Sequence, residues 1–233
     1  MSRWQAVVFD LDDTLYPERD YVRGGFQAVG RWASATLGED PPSVVEELWS
    51  MFEAGVRRDT FDRWLRGRGR AAEADRAEMI DVYRRHPPHL VPYPDVLPAL
   101  DRLRGQARLG LITEGARAVQ EAKLDALGLR SYFDRVVVLG EEERMDWKPS
   151  RLPFDRWLQD SGIRPETSVY LGDNPSKDFL GARRAGWACI RVRRSDGLHR
   201  DEEPREDEAR PNAEISDLQS LTSILDTLEA QPR

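Results

Sequence analysis

Apolar positions along this chain follow two rhythms. Ala6-Val7-Val8-Phe9 is a short unbroken run rich in β-branched residues, and residues 108–113, 135–139, 168–172 and 188–192 repeat it. Runs of this length suit strands buried on both faces of a parallel sheet. Between them, apolar residues recur every three or four positions over 96–103, over 117–127 up to Gly128, over 152–160 up to Gly162, and through Phe179, Leu180 and Ala182 to Gly186. Such spacing predicts helices, each closed by a glycine. Ala213-Glu214-Ile215 reads as a sixth, short strand and 218–228 as a closing helix. Strand alternating with helix predicts an α/β core: a Rossmann-like parallel sheet, right-handed crossovers, and helices on both faces.

One stretch breaks the alternation. From 17 to about 91 only the helical period is present, carried by Val22, Phe26, Val29, Ala33 and Leu37, then by Val44, Val45, Leu48, Trp49 and Phe52, then by shorter rows around Trp64 and Ile80. This predicts an all-helical domain, 17–91, inserted into a core made of 1–16 and 92–233. Trp32, Trp49 and Trp64 are expected to pack its helices, and Arg57, Arg58, Arg63, Arg66, Arg68 and Arg70 to form a solvated face. His86-Pro87-Pro88-His89 has the look of a metal pair but lacks further ligands, and its prolines deny it a shared helical face. Five prolines within 86–98 make a connector the better reading.

Composition narrows the function classes. The chain has 233 residues, 33% charged and 39% hydrophobic, enough for one large domain or a core with a smaller appendage. A net charge of −7 leaves no basic excess for nucleic-acid phosphates. No apolar segment is long enough to span a bilayer, and the run at Val7-Val8-Phe9 meets Asp10 before a signal-peptide core can form. With a single cysteine, Cys189, a cytoplasmic protein is expected. All but three of the 35 basic residues are arginine. The exceptions, Lys123, Lys148 and Lys177, merit inspection because lysine is a compact, mobile point charge that arginine does not mimic.

Candidate chemistry gathers where the strands end. The first strand delivers Asp10 and Asp12 to one point, and carboxylates so close repel unless a proton or cation lies among them. A hard divalent cation with oxygen ligands answers that need, and beside it an aspartate nucleophile could face a phosphate. The local pattern Asp12-Asp13-Thr14 equally suits a cap for the next turn. Thr113 ends the second strand, Lys148 follows the third within Trp147-Lys148-Pro149, and the fourth leads into Gly172-Asp173 and on to Asp178. In parallel α/β sheets ligands bind beyond these carboxyl ends.

Taken together, the four motifs resemble the haloacid dehalogenase superfamily, in its phosphatase branch with a helical C1-type cap inserted after the first motif. D-x-D-x-T matches Asp10 to Thr14, the hydroxyl closing an apolar strand matches Thr113, the lysine before proline matches Lys148, and G-D-x-x-x-x-D matches Gly172-Asp173 through Asp178. The resemblance covers nearly the whole chain. It implies hydrolysis of a small phosphorylated metabolite, a phosphomonoester, through an aspartyl-phosphate. Asp10 would be the nucleophile and Asp12 the general acid and base. Asp10, Asp173 and the backbone carbonyl of Asp12 would hold Mg²⁺. Thr113 and Lys148 would bind the phosphoryl oxygens, with Asp178 orienting Lys148. Thr14 and Asn174 are lesser candidates, and Lys177, which could equally be a solvated helix residue, is left out of the catalytic set. Glu114 departs from the small polar or amide residue usual in relatives and is expected to face the helical domain or solvent.

Three other readings stand beside this one. A haloacid dehalogenase would lack Asp12 and need no metal. A phosphosugar mutase shares all four motifs. A phosphate-responsive binding module of the receiver type would be shorter and have no helical insert. Neither the particular substrate nor the oligomeric state is legible in the sequence.

Overall fold

The computed structural model describes residues 3–70 and 73–230. Positions 1, 2, 71, 72 and 231–233 of the expected domains lie outside the described residues. The chain divides into two compact units, residues 1–18 with 90–233 and residues 19–89.

The larger unit is built on six parallel strands: β1 (Ala6–Phe9), β2 (Arg108–Glu114), β3 (Arg135–Leu139), β4 (Ser168–Gly172), β5 (Ala188–Val192) and β6 (Ala213–Ile215). They lie in the order β3-β2-β1-β4-β5-β6. β1 is wholly buried because neighbours flank it on both edges, Ala6 to Phe9 pairing with Arg108 to Leu111 on one side and Ser168 to Leu171 on the other. The chain winds outward from β1 in one direction through β2 and β3, then crosses back to β4 and proceeds the other way. That reversal puts a topological switch point between β1 and β4, where the crevice for a ligand opens at the carboxyl ends.

Helices α5 (Val96–Leu103), α6 (Arg117–Ala126), α7 (Leu152–Leu158), α8 (Asp178–Arg184) and α9 (Leu221–Ala230) complete this unit. On one side of the sheet Val8, Ile112, Val137 and Tyr170 pack with Phe154 and Trp157 of α7 and Phe179 of α8. Cys189 of β5 is sealed in the same cluster. Gly110 is needed here: a Cβ on it would lie 2.2 Å from the Trp157 indole nitrogen, which donates to the Arg135 carbonyl at 3.2 Å.

Element ends differ slightly from the periodicity. β2 runs one residue further, since Glu114 still pairs with Leu139. α7 stops at Leu158, and Asp160 and Gly162 turn left-handed at φ 59° and 72°. α9 starts at Leu221 because the Leu218 amide is taken by Asp95 and the Gln219 amide by Asp217 at 2.9 Å.

Four helices make the second unit: α1 (Glu18–Leu37), which begins at the last residue of the first unit, α2 (Pro41–Glu53), α3 (Thr60–Gly67) and α4 (Glu73–Arg85). Val22, Phe26, Val29 and Ala33 are the buried stripe of α1, as the 3–4 spacing demands. Asp40 caps α2, accepting from the Ser43 amide at 3.1 Å ahead of two prolines. Phe26 meets Phe52, Phe61 and Tyr83 at ring centroids 6.3, 6.3 and 5.9 Å away. Trp64 is buried, while Trp32 and Trp49 are half-buried. The arginines pair within the unit: Arg63 with Asp59, Arg70 with Asp75, and Arg68 with Glu39 and Glu47 while it lies 3.8 Å over the Trp64 ring. Where the chain departs from and rejoins the sheet, the Tyr93 amide donates to the Leu15 carbonyl at 3.0 Å. Among the described residues no helix is long and apolar enough to cross a membrane.

Candidate active site

Each chemical side chain of the larger unit is delivered by a strand end. Asp10 directly follows β1, and its amide still donates to Leu171 of β4 at 2.8 Å, so its backbone is as fixed as the sheet. Lys148, reached through the loop after β3 and joined to Pro149 by a cis peptide bond, has no side-chain exposure. Its ammonium donates to Asp10 Oδ1, to Asp178 Oδ1 at 2.7 Å and to the Tyr170 hydroxyl at 2.8 Å. Three donors meet three oxygens, and the ammonium is fully committed.

Asp178 opens α8, with both carboxylate oxygens engaged: Oδ1 by Lys148 and Oδ2 by the Asn174 amide at 2.8 Å. Gly172 makes room for it, since a Cβ there would stand 2.5 Å from Asp178 Oδ2. Asn174 uses its own side chain to tie the loop, accepting from the Ser176 amide at 3.0 Å. Asp173 is different. Its backbone carbonyl accepts from Arg191 at 3.2 Å, yet its Oδ2 is buried without a hydrogen-bond partner. Carboxylate oxygens of Asp10, Asp173 and Asp178 lie within 4.8 Å of one another.

Burial pushes the Asp10 carboxyl up to about 7 despite Lys148, with Asp178 adding to the rise. Asp173 is driven well up by burial and by the charges of Asp178 and Asp10. Lys148 moves upward although burial opposes it, because Asp10 and Asp178 hold its proton. An excess of buried carboxylate, one oxygen of it orphaned, is the donor set of a hard oxygen-liganded cation. The residues present therefore fit such an ion, and with both Asp178 oxygens already engaged, Asp10 and Asp173 are the side chains free to hold it.

Asp12 turns to other partners. Its Oδ1 accepts from the Tyr16 hydroxyl and from Lys123 of α6 at 2.7 Å. Burial acts to raise its pKa, but the charge and hydrogen bond of Lys123 and the Tyr16 hydroxyl outweigh it, so Asp12 lies below the usual carboxylate range. Asp13 has the capping role that the local pattern also allowed. It sits left-handed at φ 51°, with Oδ1 accepting from the Glu18 amide and Oδ2 from the Leu198 amide, each at 2.8 Å. Thr14 is buried with its hydroxyl unpartnered, and its carbonyl accepts from Arg194. The Thr113 hydroxyl donates to Gln120 of α6 at 3.2 Å.

One expectation is corrected, and one reading left open is decided. Glu114 does not face outward: its side chain is 8% exposed, with Oε2 accepting from the Lys148 amide at 2.9 Å and Oε1 paired to Lys177 at 3.1 Å. An anion next to buried cations gains more from turning inward than from solvent. Lys177 accordingly is no plain solvated helix residue, since this pair ties it to the site. Sequence reasoning passed over Tyr16 and Tyr170, and marked Lys123 for inspection without giving it a role. Tyr170 has the signature of a core aromatic, and Lys123 that of a helix surface. The one signal for Lys123 was the scarcity of lysine.

A parallel α/β sheet whose carboxyl edge crowds aspartates around a buried lysine, beside a switch point, is the setting of a hydrolase site. The chain belongs to the haloacid dehalogenase-like hydrolases, whose family model matches residues 4–186. It is 34% identical over 230 residues to the glyceraldehyde 3-phosphate phosphatase of Methanopyrus kandleri, covering 95% of this chain and 97% of that one. It is 31% identical over 254 residues to the phosphoserine phosphatase of Thermus thermophilus, covering 93% and 97%. Among solved structures, a 2-haloacid dehalogenase from Pseudomonas syringae superposes with a TM-score of 0.65 at 26% identity, over 97% and 99% of the two chains.

Proposed function

We propose that this protein hydrolyses a small phosphomonoester in a Mg²⁺-dependent reaction through an aspartyl-phosphate on Asp10. The observation that carries the reading is the orphaned Asp173 oxygen beside Asp10, in a cluster balanced by Lys148. Mg²⁺ held by Asp10, Asp173 and the Asp12 backbone carbonyl would neutralise charge on the phosphoryl oxygens. Asp10 attacks phosphorus with one carboxylate oxygen. The Asp10–phosphorus bond forms as the bond to the ester oxygen breaks, and protonated Asp12 gives its proton to that oxygen. Ionised Asp12 then takes a proton from water, whose oxygen attacks phosphorus and frees Asp10. The Lys123 contact favours the ionised carboxylate, the form required in this second half. Lys148 and the Thr113 hydroxyl bind phosphoryl oxygens, with Asp178 holding Lys148 in place. Residues 17–91 act as a C1-type cap that selects the substrate.

The relatives named for glyceraldehyde 3-phosphate and phosphoserine motivate a panel of small phosphomonoesters led by those two. Phosphate release that needs Mg²⁺ and stops with EDTA is expected. Activity that survives complete metal removal, or halide release from a haloacid with no phosphate release from any ester, would refute the reading. Asp12 weighs against the dehalogenase alternative, because it equips the site for proton transfer.

A further inference from the structure

Thirty-five basic residues in this chain include only three lysines, and all three stand at one site. Lys148 touches Asp10, Lys123 touches Asp12, and Lys177 touches Glu114 beside them. Wherever else the chain carries a basic side chain it uses arginine. Each of these lysines meets a carboxylate with a compact ammonium, which arginine's broad guanidinium fork does not mimic.

The three differ in what they can still bind. Lys148 has no side-chain exposure and all three of its protons are given away. Lys123 is 4% exposed against Asp12. Lys177 is 34% exposed, and it pairs at 3.1 Å with Glu114, a carboxylate itself held by the Lys148 amide. An ammonium has three donors, so this contact orients Lys177 without exhausting it. It directly precedes Asp178, which holds Lys148 at 2.7 Å, and its partner Glu114 directly follows Thr113, so Lys177 stands beside the proposed phosphate site; its charge also acts to lower the pKa of Asp10 and Asp12.

We infer that Lys177 is a second substrate-binding cation, contacting an oxygen of the phosphoryl group that approaches Asp10, and that Glu114 positions it for that contact. The inference rests on the phosphate reading of the site. A dianionic group arriving there meets carboxylates on most sides and, in Lys148, a lysine that shares its donors with Asp10, Asp178 and Tyr170. Lys177 is the lysine with solvent access and donors to spare. Glu114, an unexpected anion next to Thr113, is tolerable at a phosphate site because Lys177 neutralises it in the free protein.

The test is calorimetric binding of inorganic phosphate to the Mg²⁺-loaded full chain. Lys177→Met and Lys177→Gln should each weaken binding by roughly 10- to 100-fold, the worth of one charge-assisted hydrogen bond. Gln can still hydrogen-bond Glu114, so its failure isolates the missing charge, and circular dichroism checks that both variants fold. Lys177→Arg should recover only part of the affinity. The decisive comparison is Lys177→Met made in a Glu114→Gln background. If Lys177 touches phosphate, the loss persists there. If the loss disappears, Lys177 serves only to neutralise Glu114 and the inference is wrong. Unchanged phosphate affinity in Lys177→Met would overturn it as well. A wild-type protein that neither binds phosphate nor hydrolyses any ester would overturn the phosphate reading itself, and this inference with it.

Discussion

Lys148 and Asp178 meet at 2.7 Å with neither side chain exposed to solvent, the most deeply sealed ion pair at the site. Breaking such a pair by removing one partner costs about 3–5 kcal/mol, because the survivor keeps the desolvation penalty. Lys148→Met strands both Asp10 and Asp178. At roughly 2–4 °C per kcal/mol for a chain of this size, a fall in Tm of roughly 6–20 °C is expected. The loss should be larger at pH 8 than at pH 5, where Asp10, whose carboxyl burial pushes up to about 7, can take up a proton. Thermal melts at the two pH values check this, and an unchanged Tm would mean that Lys148 contributes nothing to the fold.

The metal-free protein should lose stability as pH rises from 5 to 8. The native pKa of Asp10 and of Asp13 is raised to about 7, chiefly by burial, and Asp173 moves the same way. Between the unfolded value near 3.8 and these native values, the folded chain binds protons that the unfolded chain does not, so stability falls as pH climbs through that window. Mg²⁺ at the proposed site would replace the protons on Asp10 and Asp173. At 100 times its Kd a ligand adds about 2.7 kcal/mol. Scanning calorimetry with EDTA or Mg²⁺ should thus show the larger gain at pH 8, and equal gains at both pH values would contradict a metal site on these carboxylates.

Asp10→Asn and Asp12→Asn should fail differently. On the proposed mechanism the first removes the attacking oxygen and the second the proton-transfer group, so with Asp10→Asn no aspartyl-phosphate should be trapped. The second removes proton transfer, typically worth about 10²–10⁴-fold. Its loss should shrink for an aryl phosphate relative to an alkyl one, since a phenolate departs with little protonation. First-turnover release of the alcohol or phenol measures this, and equal losses on both esters would rule Asp12 out as the acid.

Gly110→Ala should destabilise the fold without altering the chemistry. The added methyl would collide with the Trp157 indole, and overpacking of this kind costs about 1–3 kcal/mol. Denaturant melts should register that loss while KM stays at the wild-type value below the transition.

The bounds of β1, β3, β4, β5 and β6 were legible because short, mostly apolar runs alternate with helical periods, as strands of a parallel sheet do. The meeting of Asp10, Lys148, Asp173 and Asp178 was legible too, since each follows a strand that ends at the same edge. What escaped were contacts made by side chains whose type suggests another role. Tyr170 sits in a strand as any core aromatic would, and only the fold brings its hydroxyl to Lys148. Lys123 lies 111 positions from Asp12, a separation that no periodicity reports. Glu114 looked solvent-bound because its partners, Lys177 and the Lys148 amide, come from two other loops.

The hydrogen bond from the Tyr93 amide to the Leu15 carbonyl has a consequence for how this chain can change over time. The sheet releases and recovers its chain at one clasped point, so it experiences the intervening residues only as a closed loop. Doubling the length of a flexible loop costs about 0.6 kcal/mol in closure entropy. Whatever lies beyond the clasp can therefore be lengthened, trimmed or exchanged while β1 keeps its two neighbours and Asp10 keeps its place. The carboxylate edge and the insert can be inherited as separate modules.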